Sequence, residues 1–271
     1  MGNKVSIRMP GPHARMDAEA VVQTLGRLLR TAAELEVAQV GGSERTPRSR
    51  WTFTDLGLGS VHATLAPLEA RGPATPEVLD RVALKLVTGF ADVETTSAIP
   101  DGWSPDAAKR AKSVADGLRG DLAEGLHLTL VTDSELAPGP TARVSREASA
   151  HLMEALSVRQ ESIGSVSGVI GSVNVHRRNV AGLWPERGGA RLEVIFEDQD
   201  LDGIRDALGH RVLVAGRLKR NGVGQVVRLA MRSIERLPEQ AEPLHRLYRM
   251  DPTLTGDLST LEYLRIIRGA S

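Results

Sequence analysis

Between residues 165 and 236, apolar and polar positions alternate with the two-residue period of β-strands in five short runs: 165–175, 180–184, 191–197, 211–219 and 225–236. Leu192, Val194 and Phe196 form one inward set, Val212, Val214, Gly216 and Leu218 a second, and Val227, Leu229 and Met231 a third. Their outward partners are Arg191, Glu193, Arg217, Lys219, Arg228 and Arg232, the polar face that a half-solvated antiparallel sheet requires. A helical insert at 201–208 separates the third run from the fourth. Asn221-Gly222 predicts a hairpin turn between the last two. Gly164, Gly168 and Gly171 mark where the first strand must coil or bulge.

The first 157 residues carry a different pattern. A short strand over 5–9 ends at Pro10-Gly11-Pro12. Asp17 then caps a predicted helix to about Val37, with Val21, Leu25, Leu28, Ala32 and Leu35 on one face. Two alternating runs, 50–56 and 60–68, flank Gly57-Leu58-Gly59 and read as a hairpin. Thr75-Pro76 and Ser104-Pro105 each place a capping hydroxyl before a proline at the first helical position. Strands over 125–132 and 141–144 follow, then a helix capped by Ser145 and running to Leu156.

After Pro238 the texture turns to Pro, Glu, Gln and Asp, a linker, and 259–268 then holds Leu261, Leu264 and Ile267 at helical spacing with Tyr263 beside them. The predicted fold class is α+β: a mixed domain over 1–157, a five-stranded barrel over 158–237, and a linker with a short C-terminal docking helix over 238–271.

Composition narrows the chemistry. The 271 residues include no cysteine, which removes disulfides, thiolate metal sites and cysteine nucleophiles. The seven histidines are scattered, with no His-x-x-x-His pair, and neither a Gly-x-Ser-x-Gly elbow nor a phosphate-loop ending is present. The alternating Asp198, Asp200 and Asp202 lack the glycine and downstream glutamate of a calcium loop and serve to offset a helix dipole. No metal or cofactor is expected. The start of the chain has neither a signal nor a transit pattern, and no apolar run reaches the length of a membrane span, so a cytoplasmic protein is expected.

The 34 basic residues match 34 acidic ones, so no global field draws a polyanion. Residues 159–236 nevertheless hold 13 Lys or Arg against 9 Asp or Glu, a net of +4, leaving 21 against 25 elsewhere. Only five lysines stand among the basic residues, a bias of the kind a GC-rich genome writes.

Five strands with a helix between the third and fourth resemble the small Greek-key barrel of oligonucleotide/oligosaccharide-binding (OB) proteins. The whole chain also resembles two-part bacterial proteins. The OB resemblance implies a ligand groove flanked by the loops joining strands one to two and four to five. The first loop carries His176, Arg177, Arg178 and Asn179, and the second carries Lys219, Arg220 and Asn221. His176, Arg177, Arg178, Lys219 and Arg220 are therefore candidate nucleic-acid contacts, with Trp184 as the available stacking platform. The plainer alternative is that hairpin tips are polar and this chain writes polar as arginine.

Three functions remain open at this point. The first is a non-enzymatic protein whose barrel binds single-stranded or structured nucleic acid. The second is a protein-binding adaptor or antitoxin-like partner that also uses Leu261, Tyr263, Leu264 and Ile267, docking either in trans or onto its own body. The third is an enzyme whose site in the first domain would gather His127, His151 or Asp133.

Overall fold

Strand β1 (Lys4–Met9) organises the first sheet, because its buried Val5, Ile7 and Met9 find apolar partners on both sides. Val5 stands opposite Leu65 of β3 (Val61–Glu69) and Leu130 of β4 (Leu126–Val131), and Ile7 opposite Ala63 and Leu128. With β2 (Arg50–Gly57) at one edge and β5 (Thr141–Val144) at the other, the order is β2-β3-β1-β4-β5, antiparallel throughout. The β2–β3 hairpin and β4 thus share a sheet without touching, since β1 lies between them. The computed structural model describes residues 2–11, 16–40, 49–57, 61–72, 74–132, 139–176, 178–187 and 190–238.

Helices α1 (Ala18–Val40), α2 (Pro76–Val93), α3 (Pro105–Asp116) and α4 (Arg146–Leu156) cover the apolar face of this sheet. Their starts follow the local chemistry. Thr75 Oγ1 accepts from the Val78 N–H at 3.4 Å and Ser104 Oγ from the Ala107 N–H at 3.1 Å, each just before a proline. Ser145 Oγ caps α4 by accepting from Glu147 N–H at 3.1 Å. The core of Leu28, Leu35, Val82, Leu86, Phe90, Val114 and Leu152 is fully buried. Trp103 closes it, its ring meeting Phe90 edge to face at 5.4 Å while its Nε1 donates to the Lys85 carbonyl at 2.9 Å.

The second sheet closes on itself in the order β6-β7-β8-β10-β9, formed by β6 (Gln160–Asn174), β7 (Val180–Pro185), β8 (Leu192–Ile195), β9 (Arg211–Arg220) and β10 (Val226–Arg236). The β8–β10 pair is parallel and every other pair antiparallel. Helix α5 (Leu201–Asp206) sits between β8 and β9, after a 3-10 turn at Asp198–Asp200. β6 serves two neighbours, pairing with β9 over its first ten residues and with β7 over its last seven. It passes from one to the other at Gly168, where a Cβ would lie 2.2 Å from the Trp184 carbonyl oxygen. The register shift between Ile170 and Ser172 falls on Gly171.

Inside this barrel Leu192, Val194, Phe196, Val212, Val214, Leu218, Leu229 and Met231 form a second hydrophobic core. Val227 does not join them. A bulge between Val226 and Arg228 breaks the alternation, so Val227 is buried in the first core while Val226 packs against the barrel's.

The predicted Asn221-Gly222 turn is likewise longer than a two-residue hairpin. Asn221 N–H donates to the Gln225 carbonyl at 3.0 Å, and the positive dihedral falls on Gly224 (φ 82°). Met1–Leu237 form one compact unit carrying both cores. Of the linker and helix expected over 238–271, all but Pro238, and with them Leu261, Tyr263, Leu264 and Ile267, lie outside the described residues.

Candidate functional site

The two loops that the sequence marks as basic lie at opposite ends of β8. At one end the Phe196 N–H donates to Asn179 O at 3.2 Å, tying the β6–β7 loop to the exit of β8. At the other, Val194 pairs with Leu229, so the start of β10 and its preceding turn adjoin the entry of β8. The loops thus bracket the outer face of β7, β8 and β10 from opposite ends of β8.

The β6–β7 loop is held by its polar residues and presents its cation. His176 is exposed, with its N–H donating to Asn174 Oδ1 at 2.9 Å. Asn179 Nδ2 donates to the Asp198 carboxylate, and Arg178 stands exposed between these anchors. Arg177 lies outside the described residues.

The β9–β10 turn is docked on the first core. Asn221 is fully buried and its amide nitrogen donates to Ala155 O at the end of α4, 2.9 Å away. Its Oδ1 accepts from the N–H groups of Val223 at 3.2 Å and Gln225 at 2.9 Å. The Gln225 side chain then bonds both backbone groups of Ile99. Arg220 donates to Gly224 O at 2.8 Å, within its own turn, and Lys219 Nζ lies 3.4 Å from Glu161 Oε1. Both cations therefore meet partners of their own chain, and the fold does not bring them beside His176 and Arg178.

Between the loops the outer face is crossed by Arg191. A Cβ on Gly182 would fall 2.5 Å from Arg191 Nε, so the guanidinium lies over the glycine and 5.8 Å from the Trp184 ring centroid. Arg191 Nη1 reaches Asp106 Oδ2 of α3 at 3.0 Å. Burial is the largest effect on the Asp106 carboxyl and acts to raise its pKa. The hydrogen bond and charge of Lys109, with the charge of Arg191, outweigh it and hold the group below its ordinary range. Arg228 Nε and Glu193 Oε2 pair at 3.0 Å on the same face. The Trp184 platform is thus partly covered, and its Nε1 and Arg191 Nε are buried without a hydrogen-bond partner among the described residues. Sequence reasoning named Trp184 and missed its cover, because Arg191 reads only as one of several outward cations.

A cleft of about 450 Å³ opens beside this face, between the barrel end and the 99–105 segment. Pro100, Trp103, Val166 and Leu192 supply apolar wall, and Arg187, Arg191 and Gln225 the polar groups. Of the residues named for a possible enzyme site, His127 and His151 do not converge. His151 Nδ1 is 2.7 Å from Val93 O within the helical layer, His127 is exposed on the opposite face of the sheet, and Asp133 lies outside the described residues. Among the described residues no group of three His, Asp or Glu is placed to hold a metal ion, and no helix is long and apolar enough to cross a membrane.

No family model matches the chain, and no curated protein matches it either. Among solved structures it is similar to the S. pombe Stn1-Ten1 complex, at 22% identity and a TM-score of 0.23. That match covers 31% of this chain and 62% of the other, too slight to carry an argument.

Proposed function

We propose that this chain is a non-enzymatic binding protein whose barrel is of the OB type and takes a nucleic-acid strand along the outer face of β7 and β8. The observation that carries the reading is the strand order. A closed β6-β7-β8-β10-β9 ring with its parallel pair between the third and fifth strands, and a helix between the third and fourth, is the arrangement of that barrel class. The contact edge is the β6–β7 loop with His176, Arg177 and Arg178, of which His176 and Arg178 are exposed. Lys219 faces Glu161 and Arg220 gives one N–H to Gly224 O at the opposite end of β8, so these two are the weaker candidates for contact.

The test is a fluorescence-anisotropy titration of the full chain with labelled single-stranded DNA, single-stranded RNA and duplex at two salt concentrations. Salt-sensitive binding that is lost in Arg178→Glu supports the reading, since each phosphate contact to a single strand contributes about 0.7 to the salt slope. Absence of binding at micromolar protein in low salt overturns it.

A protein-binding adaptor is the second reading. It is favoured by the pairing of Arg191, Arg228 and Lys219 with acids of the same chain, which leaves the outer face locally neutral. Co-purification of a partner that is lost on deleting 257–271, with no oligonucleotide binding, decides for it.

A further inference from the structure

The face of the first sheet that the helices leave uncovered carries a pattern invisible along the chain. Residue pairing sets Arg8 of β1 directly opposite His62 of β3 on one side and His127 of β4 on the other, and His127 opposite Arg143 of β5. One row across four adjacent strands therefore reads His62, Arg8, His127, Arg143, and all four are exposed. The next row is Thr64, Ser6, Thr129 and Thr141, all hydroxyls, with Asp55 of β2 opposite Thr64 at its edge. Beyond it Lys4 stands opposite Val131.

The row sets Arg8 and Arg143 two strands apart with His127 between them, so it supplies no cross-strand ion pair to the fold. Among the described residues no carboxylate pairs with Arg8, His127 or Arg143. The last gives one N–H to Glu124 O at 3.3 Å.

We infer that this open face is a second binding surface, separate from the barrel, and that its occupant is the phosphate backbone of a single-stranded nucleic acid. At the ~4.8 Å spacing of neighbouring strands the row spans roughly 14 Å. A pliable strand can lie flat along it, whereas a duplex presents only a narrow convex line. Arginine forks complement phosphate oxygens, and the hydroxyl row supplies further donors. Among its paired residues the face offers no Phe, Tyr or Trp and only the imidazoles of His62 and His127 to stack on a base, so phosphate contacts dominate and sequence preference is weak. Val131 is the large apolar residue among these rows, too little for a membrane or an apolar helix.

The test uses the full chain and a labelled 20-nucleotide single strand, read by anisotropy across a salt series. Arg8→Gln with Arg143→Gln is expected to weaken binding about tenfold and to lower the salt slope by about 1.4, the share of two single-strand phosphate contacts. Hydrogen exchange on the unaltered protein provides a reading that needs no variant. Added oligonucleotide is expected to slow exchange in β1, β4 and β5. An unchanged slope, protection confined to the barrel, or binding to phosphatidylserine vesicles in place of oligonucleotide overturns the inference. If Arg178→Glu is silent while the sheet variant loses affinity, the barrel reading fails and this one stands.

Discussion

Gln225 of the barrel grips the backbone of Ile99 at both ends of its amide, Oε1 accepting from the Ile99 N–H at 2.9 Å and Nε2 donating to the Ile99 carbonyl at 2.8 Å. Ile99 and Gln225 both line the cleft, so this two-point bond sets the distance between its walls. Leaving both Ile99 groups unpaired costs roughly 1–3 kcal/mol, the penalty for stranded polar groups at a part-buried site. Gln225→Ala is expected to lower the unfolding free energy by that amount, read as a lower urea midpoint with an unchanged slope. A change within experimental error would show that water replaces the amide.

Asn221 should be more sensitive. Its fully buried side chain serves the Ala155 carbonyl, the Gln225 side chain and two turn N–H groups. Asn221→Ala strands several of these at once and is expected to cost roughly 2–4 kcal/mol. Asn221→Asp keeps the acceptor but replaces the donor to Ala155, and should lose nearly as much in thermal unfolding at neutral pH.

Gly89 leaves room for the Trp103 indole. A Cβ there would lie 2.3 Å from two ring atoms, Cε2 and Nε1. Gly89→Ala must displace the ring from Phe90 and stretch its bond to Lys85 O, at roughly 1–3 kcal/mol. Near-ultraviolet circular dichroism, which reports the fixed indole, is the measurement. An unaltered spectrum with unaltered stability would contradict this packing.

The Asp106 carboxylate, held by Lys109 and by Arg191, predicts an acid dependence. Because the folded Asp106 pKa lies below its ordinary 3.8, its contribution is present above that value and is lost as pH falls through the folded pKa. The stability difference between the native chain and Asp106→Asn should therefore be flat from neutral pH down to about 5 and should close below about 4. Stability measured by denaturant at fixed pH values tests this. A gap that persists unchanged at pH 2.5 would exclude the ionic origin.

The basic turn gives a discriminating control for the barrel. Lys219→Gln removes a cation that faces Glu161 and should leave oligonucleotide affinity within about twofold. Arg178→Glu at the exposed loop should abolish the barrel's share of the salt slope. Equal losses in parallel titrations would show that the β9–β10 turn reaches the ligand after all.

What the sequence determined by itself is whatever neighbouring residues decide together. The alternation in β8 to β10, the Thr75-Pro76 and Ser104-Pro105 starts and the glycines of β6 were legible because period, cap and turn act over a few residues. A one-residue bulge was enough to defeat that logic at Val227, whose strand parity places it in the barrel while its side chain belongs to the first core. The candidate site needed the tertiary structure for the same reason. Nothing near Lys219 or Arg220 says that their turn docks on Ile99 and Ala155, and nothing near Trp184 says that Arg191 will bridge past it to Asp106. Residues 8, 62, 127 and 143 share a row only because β1 inserts between β3 and β4. A net charge of zero over the chain conceals that row, since composition sums charges that only strand pairing sets side by side.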